Sequence, residues 1–235
     1  MKEISMAIKK NDERKMPLLE VTAGLRNGFV YPEWWEHIFR NGLDAFETLP
    51  IPHAKTEGWR ETNLAPFFHP QRKWALKISK KIQEENIPKI VVDTFPPSII
   101  WDNGTVNIKT GIFPSLVVQN FRDALQSPQG KILQQILSYG QEPQHVFEAL
   151  SDMLMYNGIF LYLPKGIVIN TPIHIVVSSR NFDVDTIDVP RIVIYLEDDA
   201  QATVTVHYVS NTKKPYSLWV NMKEQIILGK NSYLK

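Results

Sequence analysis

Cysteine is absent from all 235 residues. That absence removes disulfide stapling, thiolate catalysis and thiolate metal ligation from anything the chain does by itself. A dominant sign of charge is also missing, because 26 Lys and Arg face 25 Asp and Glu for a formal net charge of +1. No overall field therefore steers the chain to nucleic acid or anionic lipid. No apolar run approaches the roughly 18 residues of a membrane helix. The segment from Met1 to Met16 carries Lys2, Glu3, Lys9, Lys10, Asp12, Glu13, Arg14 and Lys15. Those charges leave no room for the roughly 7–15-residue apolar core of a secretory signal, so a cytoplasmic location is expected. There is no Gly-rich phosphate loop ending in Lys-Ser/Thr and no Gly-x-Ser-x-Gly elbow, which argues against nucleotide hydrolysis and that kind of nucleophilic catalysis.

What is present is ordinary globular material, 43% hydrophobic and 22% charged, enough for a sizeable core. The first 90 or so residues read as helices joined by Pro-rich loops. Pro32 stands where a helix can start, and Trp34, Trp35, Ile38, Phe39 and Leu43 follow at helical spacing. Pro50, Pro52, Pro66 and Pro70 argue against helix from Leu49 to Pro70 except around Trp59. A second amphipathic helix is expected from about Arg72 to Asn86, with Trp74, Ile78 and Ile82 on one face and Pro88 as its stop. Ile90–Val92 and Ile99–Trp101 read as strand. Asp102-Asn103-Gly104 is a turn signal leading into Thr105–Ile108. Further helices are expected at about 115–126 and 145–156, the second ending at Asn157-Gly158 in a left-handed cap.

From Ile159 onward nearly everything reads as strand. Ala202, Val204, Val206 and Tyr208 alternate with Thr203, Thr205 and His207, the period-2 pattern of a half-buried strand. Three segments share a pattern: Leu161-Tyr162-Leu163-Pro164-Lys165-Gly166, Ile194-Tyr195-Leu196-Glu197-Asp198-Asp199 and Ile226-Ile227-Leu228-Gly229-Lys230-Asn231. Each places three bulky apolar residues ending in Leu before a turn. Leu163, Leu196 and Leu228 are spaced 33 and 32 residues apart, a period expected of stacked β-solenoid coils. Asn231 to Lys235 stop in mid-pattern, so an open coil end available to another chain, or a fragment, is expected.

Leu49-Pro50 leading to Glu57-Gly58-Trp59-Arg60-Glu61-Thr62-Asn63-Leu64 resembles the N-terminal signature of the SufD family. Val146-Phe147-Glu148-Ala149-Leu150 with Asn157 to Gly166 and Pro172-Ile173-His174-Ile175 is similar to that family's helix entering its first β-helix coils. Pro190 to Ile194, Ala200 to Val204 and His207 to Ser210 continue the likeness. The resemblance implies an α+β fold, an N-terminal α-helical domain followed by the first coils of a right-handed parallel β-helix. The expected division is a helical domain over 1–88, a mixed connecting segment over 89–158 and the start of the β-helix over 159–235. It further implies a non-enzymatic scaffold that pairs with a SufB-like paralogue and a SufC-like ATPase, with a homodimer as another possibility. The implied assembly builds nascent iron–sulfur clusters, and a flavin in the complex is compatible with it. The family's cluster-site histidine and ATPase-docking surface lie beyond the position of Lys235. No catalytic, cofactor-binding or metal-binding residue is carried over for that reason.

Other readings of the residues are weighed beside this one. The histidines His37, His53, His69, His145, His174 and His207 are scattered with no pair at metal-ligand spacing, and each reads as a surface or packing residue. His207, on the polar side of a strand, is the exception to be weighed. Glu57, Trp59, Arg60 and Thr62 could bind a ligand, but the simpler expectation is that Trp59 anchors the helical region and Arg60 pairs with a nearby carboxylate. Asp183, Asp185, Asp188, Asp198 and Asp199 could mimic the calcium-holding aspartates of a β-helix carbohydrate-active enzyme, though turn duty explains them. Lys213-Lys214 and the Lys77–Lys81 run read as solvated faces. A truncated paralogue that keeps only partner binding is a third possibility.

Overall fold

A computed structural model describes residues 12–25, 31–82, 87, 89–94, 99–108, 115–139 and 142–235. It combines helices with mixed parallel and antiparallel sheets, an α+β protein as expected.

The helix foreseen at Pro32 runs from Glu33 to Thr48, with Pro32 at its N-cap and Trp35, Gly42 and Phe46 buried. Gly42 is required by contact. A Cβ there would lie 2.6 Å from the Met153 amide nitrogen of the Val146–Met153 helix. Lys15 closes the other end. Its Nζ donates to the carbonyls of Phe46 at 2.6 Å, Glu47 at 3.1 Å and Leu49 at 2.5 Å, placing a cation where the helix dipole favours one. As the prolines imply, residues 49–70 form turns with no helix.

The helix expected from Arg72 does not form. Over 72–82 the chain instead carries the short strand β1, Ala75–Leu76; residues 83–86 and Pro88 lie outside the described residues. β1 pairs in parallel with β7, Thr186–Asp188, more than a hundred residues later. Trp74 is buried but Ile78 is 46% exposed, so the helical spacing of these residues marks no common face. The strand expected over 90–92 is also overturned, because Lys89–Thr94 is helical; three β-branched residues are too weak a local preference to decide. The helix expected over 115–126 splits. Val117–Asn120 is strand β4, and Asn120 then accepts the Asp123 amide at 3.0 Å to start a helix at Phe121–Leu125. The Gly130–Ser138 helix went unforeseen.

Hairpin β2–β3 forms as expected. Ile99–Asp102 pairs antiparallel with Thr105–Ile108, and Asn103 and Gly104 both have positive φ, 40° and 84°. The Val146–Met153 helix is capped by His145, but Asn157-Gly158 forms no left-handed cap. Gly158 is needed for space, since a Cβ there would stand 2.3 Å from the Phe121 ring.

From Ile159 the strands are β5 (Ile159–Leu163), β6 (Ile173–Arg180), β7, β8 (Arg191–Leu196), β9 (Gln201–Ala202), β10 (Val204–Asn211), β11 (Leu218–Val220), β12 (Lys223–Leu228) and β13 (Tyr233–Leu234). They pair in parallel with strands one repeat away: β5 with β8, β8 with β12, β6 with β10, β7 with β11, and β9 with β13. Leu163 lies opposite Leu196, and Leu196 opposite Leu228. The repeat read from the sequence is therefore a stack of register partners. On β5 and β8, Leu161, Leu163, Ile194 and Leu196 point into the main core, which also holds Leu18, Phe46, Trp101 and Trp219. Phe160, Tyr162 and Val193 face the other way, against Trp35, Phe121, Leu133 and Leu137. Burial of both faces explains why Ile159–Leu163 is apolar without interruption.

Candidate interaction surface

β10, β11, β12 and β13 follow one another along the chain, and each is the outermost strand of its sheet. Their inward positions continue the core register with no strand beyond them among the described residues. Ile226 stands opposite Ile194 and Leu228 opposite Leu196. The earlier pair is 4% and 0% exposed, whereas Ile226 and Leu228 are 52% and 49% exposed. Tyr208, Val220 and Tyr233 add further exposed apolar surface. An edge strand presents unpaired N–H and C=O groups. Here that edge also carries side chains of the kind that fill an interior, a combination typical of a surface that another element covers.

Four of the six histidines serve local roles on the surface. His37 shares a hydrogen bond with the Asn41 amide at 3.3 Å, and the Nδ1 atoms of His53 and His69 accept the Lys55 and Gln71 amides at 3.1 and 3.3 Å. His145 accepts the Glu148 amide at its helix start. His174 and His207 are different. Their Nδ1 and Nε2 atoms lie 3.1 Å apart on neighbouring strands β6 and β10. Burial, and next the adjacent His207, pulls the His174 imidazole below its ordinary range. The 33-residue separation of these histidines is close to the repeat and puts them on adjacent strands, diagonal across a register that pairs His174 with Thr205 and His207 with Val176. Among the described residues, no group of three or more His, Cys, Asp or Glu is placed to hold a metal.

Residues 36–175 match the family described as SufBD protein N-terminal region. The chain belongs to that family. A curated relative is the iron-sulfur cluster assembly protein SufD of Bacillus subtilis (strain 168), 24% identical over 222 residues, covering 86% of this chain and 47% of the relative. The chain thus spans about half the length of the curated relative it matches.

The SufBD match includes the Leu49–Leu64 signature, and its Trp59 acts as an anchor. The indole stacks on Phe147 with ring centroids 4.9 Å apart, tying the Pro-rich segment to the Val146–Met153 helix. Arg60 has no ion pair among the described residues and lies exposed, as do Glu57 and Thr62, so the expected carboxylate partner is not found. The aspartates of the SufBD chain divide. Asp183 and Asp199 occupy left-handed turn positions. Asp185 accepts from Arg72 at 2.9 Å and from the Ser217 amide at 2.7 Å, and Asp198 accepts from the Lys230 amide at 2.8 Å. Asp188 is no turn residue. It is buried in β7 and accepts from the Trp101 indole at 3.0 Å and the Ser179 hydroxyl at 2.6 Å. Burial holds its carboxyl up at about 6 despite those bonds. Lys77, Lys80, Lys81, Lys213 and Lys214 are exposed, as solvated faces require.

One polar cluster escaped the sequence reading. Asp152 at the end of the Val146–Met153 helix meets Arg191 of β8 and Lys223 of β12. Arg191 Nη1 donates to Asp152 Oδ1 at 2.6 Å, and Lys223 Nζ donates to Oδ1 and Oδ2 at 2.9 and 3.0 Å. These three residues come from segments up to 71 residues apart, and no local pattern announces them.

Proposed function

We propose that this chain is the N-terminal part of a SufD-like scaffold subunit of an iron–sulfur cluster assembly complex. In this reading its parallel strands are the first coils of a right-handed parallel β-helix that begins near Ile159, after an N-terminal segment that contributes the Glu33–Thr48 helix. The parallel pairs with partners about one 32-residue repeat apart support the coils. The observation that carries the function is the half-exposed pair Ile226 and Leu228, opposite buried Ile194 and Leu196. That edge has the chemistry of an interior and suits an assembling subunit.

The chain acts in the cytoplasm without catalysing a reaction. Its partners are a SufB-like paralogue and a SufC-like ATPase, the latter docking outside these residues. The nascent cluster is substrate, held largely by a partner, because this chain has no thiolate to offer. The family membership and the name of the Bacillus subtilis relative support this role.

Co-expression of the full-length gene product with the SufB-like and SufC-like proteins of the same source tests the reading. Co-elution of the three at mild salt is the expected result. Elution of the gene product as a monomer, with both partners folded and in excess, would overturn the scaffold role.

A further inference from the structure

Side chains alternate across the parallel strands β6 and β10. On β6, Ile173, Ile175 and Val177 turn into the main core, and on β10 Val204 and Val206 pack against the same core. His174, Thr205 and His207 therefore stand on the opposite face, where each is half-buried. His174 lies opposite Thr205 and His207 opposite Val176, so the two histidines are diagonal neighbours. Aromatic side chains span that diagonal. Val176 and Val209, on the same face, belong to a small apolar cluster with Ile87 and Ile100.

The two rings meet through nitrogen. His174 Nδ1 and His207 Nε2 lie 3.1 Å apart, with ring centroids 5.3 Å apart and planes inclined by 38°. With both rings neutral, one nitrogen donates its proton to the lone pair of the other. Imidazole nitrogens bound to one metal ion at about 2.0–2.1 Å lie roughly 2.8–3.4 Å from each other, for angles between square and tetrahedral. The observed separation falls inside that range. To ligate, the proton between the rings passes to the outer nitrogen of its own ring, which leaves both rings neutral and both inner lone pairs available. Rotation about each Cβ–Cγ bond, a soft torsion for histidine, then turns the lone pairs to a common point.

We propose that His174 Nδ1 and His207 Nε2 form a binding site for a divalent transition-metal ion. Imidazole nitrogen suits Cu²⁺, Ni²⁺ and Zn²⁺, and affinity for such ligands peaks at Cu²⁺. Mg²⁺, which takes oxygen ligands, does not fit. Among the described residues, no third His, Cys, Asp or Glu completes a metal-holding group. The ion keeps its remaining positions for water or for a donor atom of another molecule. β10 is the outermost strand of its sheet, where such a donor can approach. This site goes beyond the scaffold role and does not depend on it.

Titration of the full chain, free of any affinity tag, with Cu²⁺ and with Mg²⁺ tests the proposal. The first equivalent of Cu²⁺ binds saturably with a Kd on the order of 10 µM or tighter, and Mg²⁺ does not bind. In nuclear magnetic resonance spectra, substoichiometric Cu²⁺ broadens the ring signals of His174 and His207 before those of His37, His53, His69 and His145. His174→Gln and His207→Gln each weaken Cu²⁺ binding by about tenfold or more, whereas His53→Gln leaves it unchanged. Far-ultraviolet circular dichroism establishes that the variants are folded, and the broadening in the unaltered chain is read without them. No saturable Cu²⁺ binding, first broadening at another histidine, equal affinity for Mg²⁺, or unchanged affinity in either folded His174 or His207 variant would each overturn the site.

Discussion

The Trp101 indole nitrogen donates to Asp188 Oδ2 at 3.0 Å, joining strands β2 and β7 inside the protein. The carboxyl that receives this bond is 1% exposed and titrates at about 6 instead of the ordinary 3.8. Between those values the folded chain keeps a proton that the unfolded chain has released, so stability falls as pH rises across that window. The full difference corresponds to about 3 kcal/mol. Asp188→Asn removes this pH dependence and raises stability at pH 7 by about 1–3 kcal/mol. Urea denaturation of both proteins at pH 4 and pH 7 checks it, and an unchanged difference between the two pH values would refute the buried-carboxyl account.

The His174 imidazole shifts the opposite way. Its folded-state pKa lies below the ordinary 6.5, first through burial and then through His207. Its contribution to stability is therefore present above 6.5 and is lost as pH falls from that value through the lower folded-state one. His207→Gln raises the His174 pKa but leaves it below 6.5, because burial is the larger cause. Proton-resolved titration of the ring by nuclear magnetic resonance measures both states, and a His174 value unmoved by the substitution contradicts direct coupling.

Gly158→Ala destabilises the chain by about 1–3 kcal/mol through overpacking against Phe121. A smaller ring neighbour relieves the clash, so the double variant Gly158→Ala/Phe121→Leu costs less than the sum of the single changes. A thermodynamic cycle from denaturant melts reads this coupling. Additivity would place the strain elsewhere.

Leu228→Ala separates a free edge from a covered one. In this chain alone, half-exposed Leu228 contributes little, and the change shifts stability by roughly 0.5 kcal/mol or less. In the full-length protein or its complex, where the proposed coil or partner covers the edge, the same change costs about 2 kcal/mol or more. Equal small effects in both settings would sink the covered-edge reading.

Several parts of the molecule could be read from local chemistry. Asn103-Gly104 supplies the two positive-φ positions of a hairpin turn, the Pro32 start and the spacing of Trp34, Trp35, Ile38, Phe39 and Leu43 define an amphipathic helix, and the Leu163–Leu196–Leu228 period marks the stacking register. The same period already held the His174–His207 meeting, since a parallel stack brings residues about one repeat apart onto adjacent strands. The Arg72 segment was misread because Trp74, Ile78 and Ile82 happen to fall at helical intervals while Ala75 and Leu76 between them pair with Thr186 and Ile187 of β7. Asp188 looked like a turn residue because aspartate is common in turns, and nothing nearby in sequence reveals that Trp101 and Ser179 enclose it.

By itself, the amino-acid sequence determined the period, the positions of tight turns and the absence of thiolate chemistry, because each depends on residues close together in the chain or on composition. Only the tertiary structure decided that Lys15 caps a helix ending at Thr48, that Asp152 is shared by Arg191 and Lys223, and that Ile226 and Leu228 lie at an open edge. Those outcomes depend on which distant segments meet and how much water is excluded between them, and burial sets both the charge balance and the exposed apolar surface.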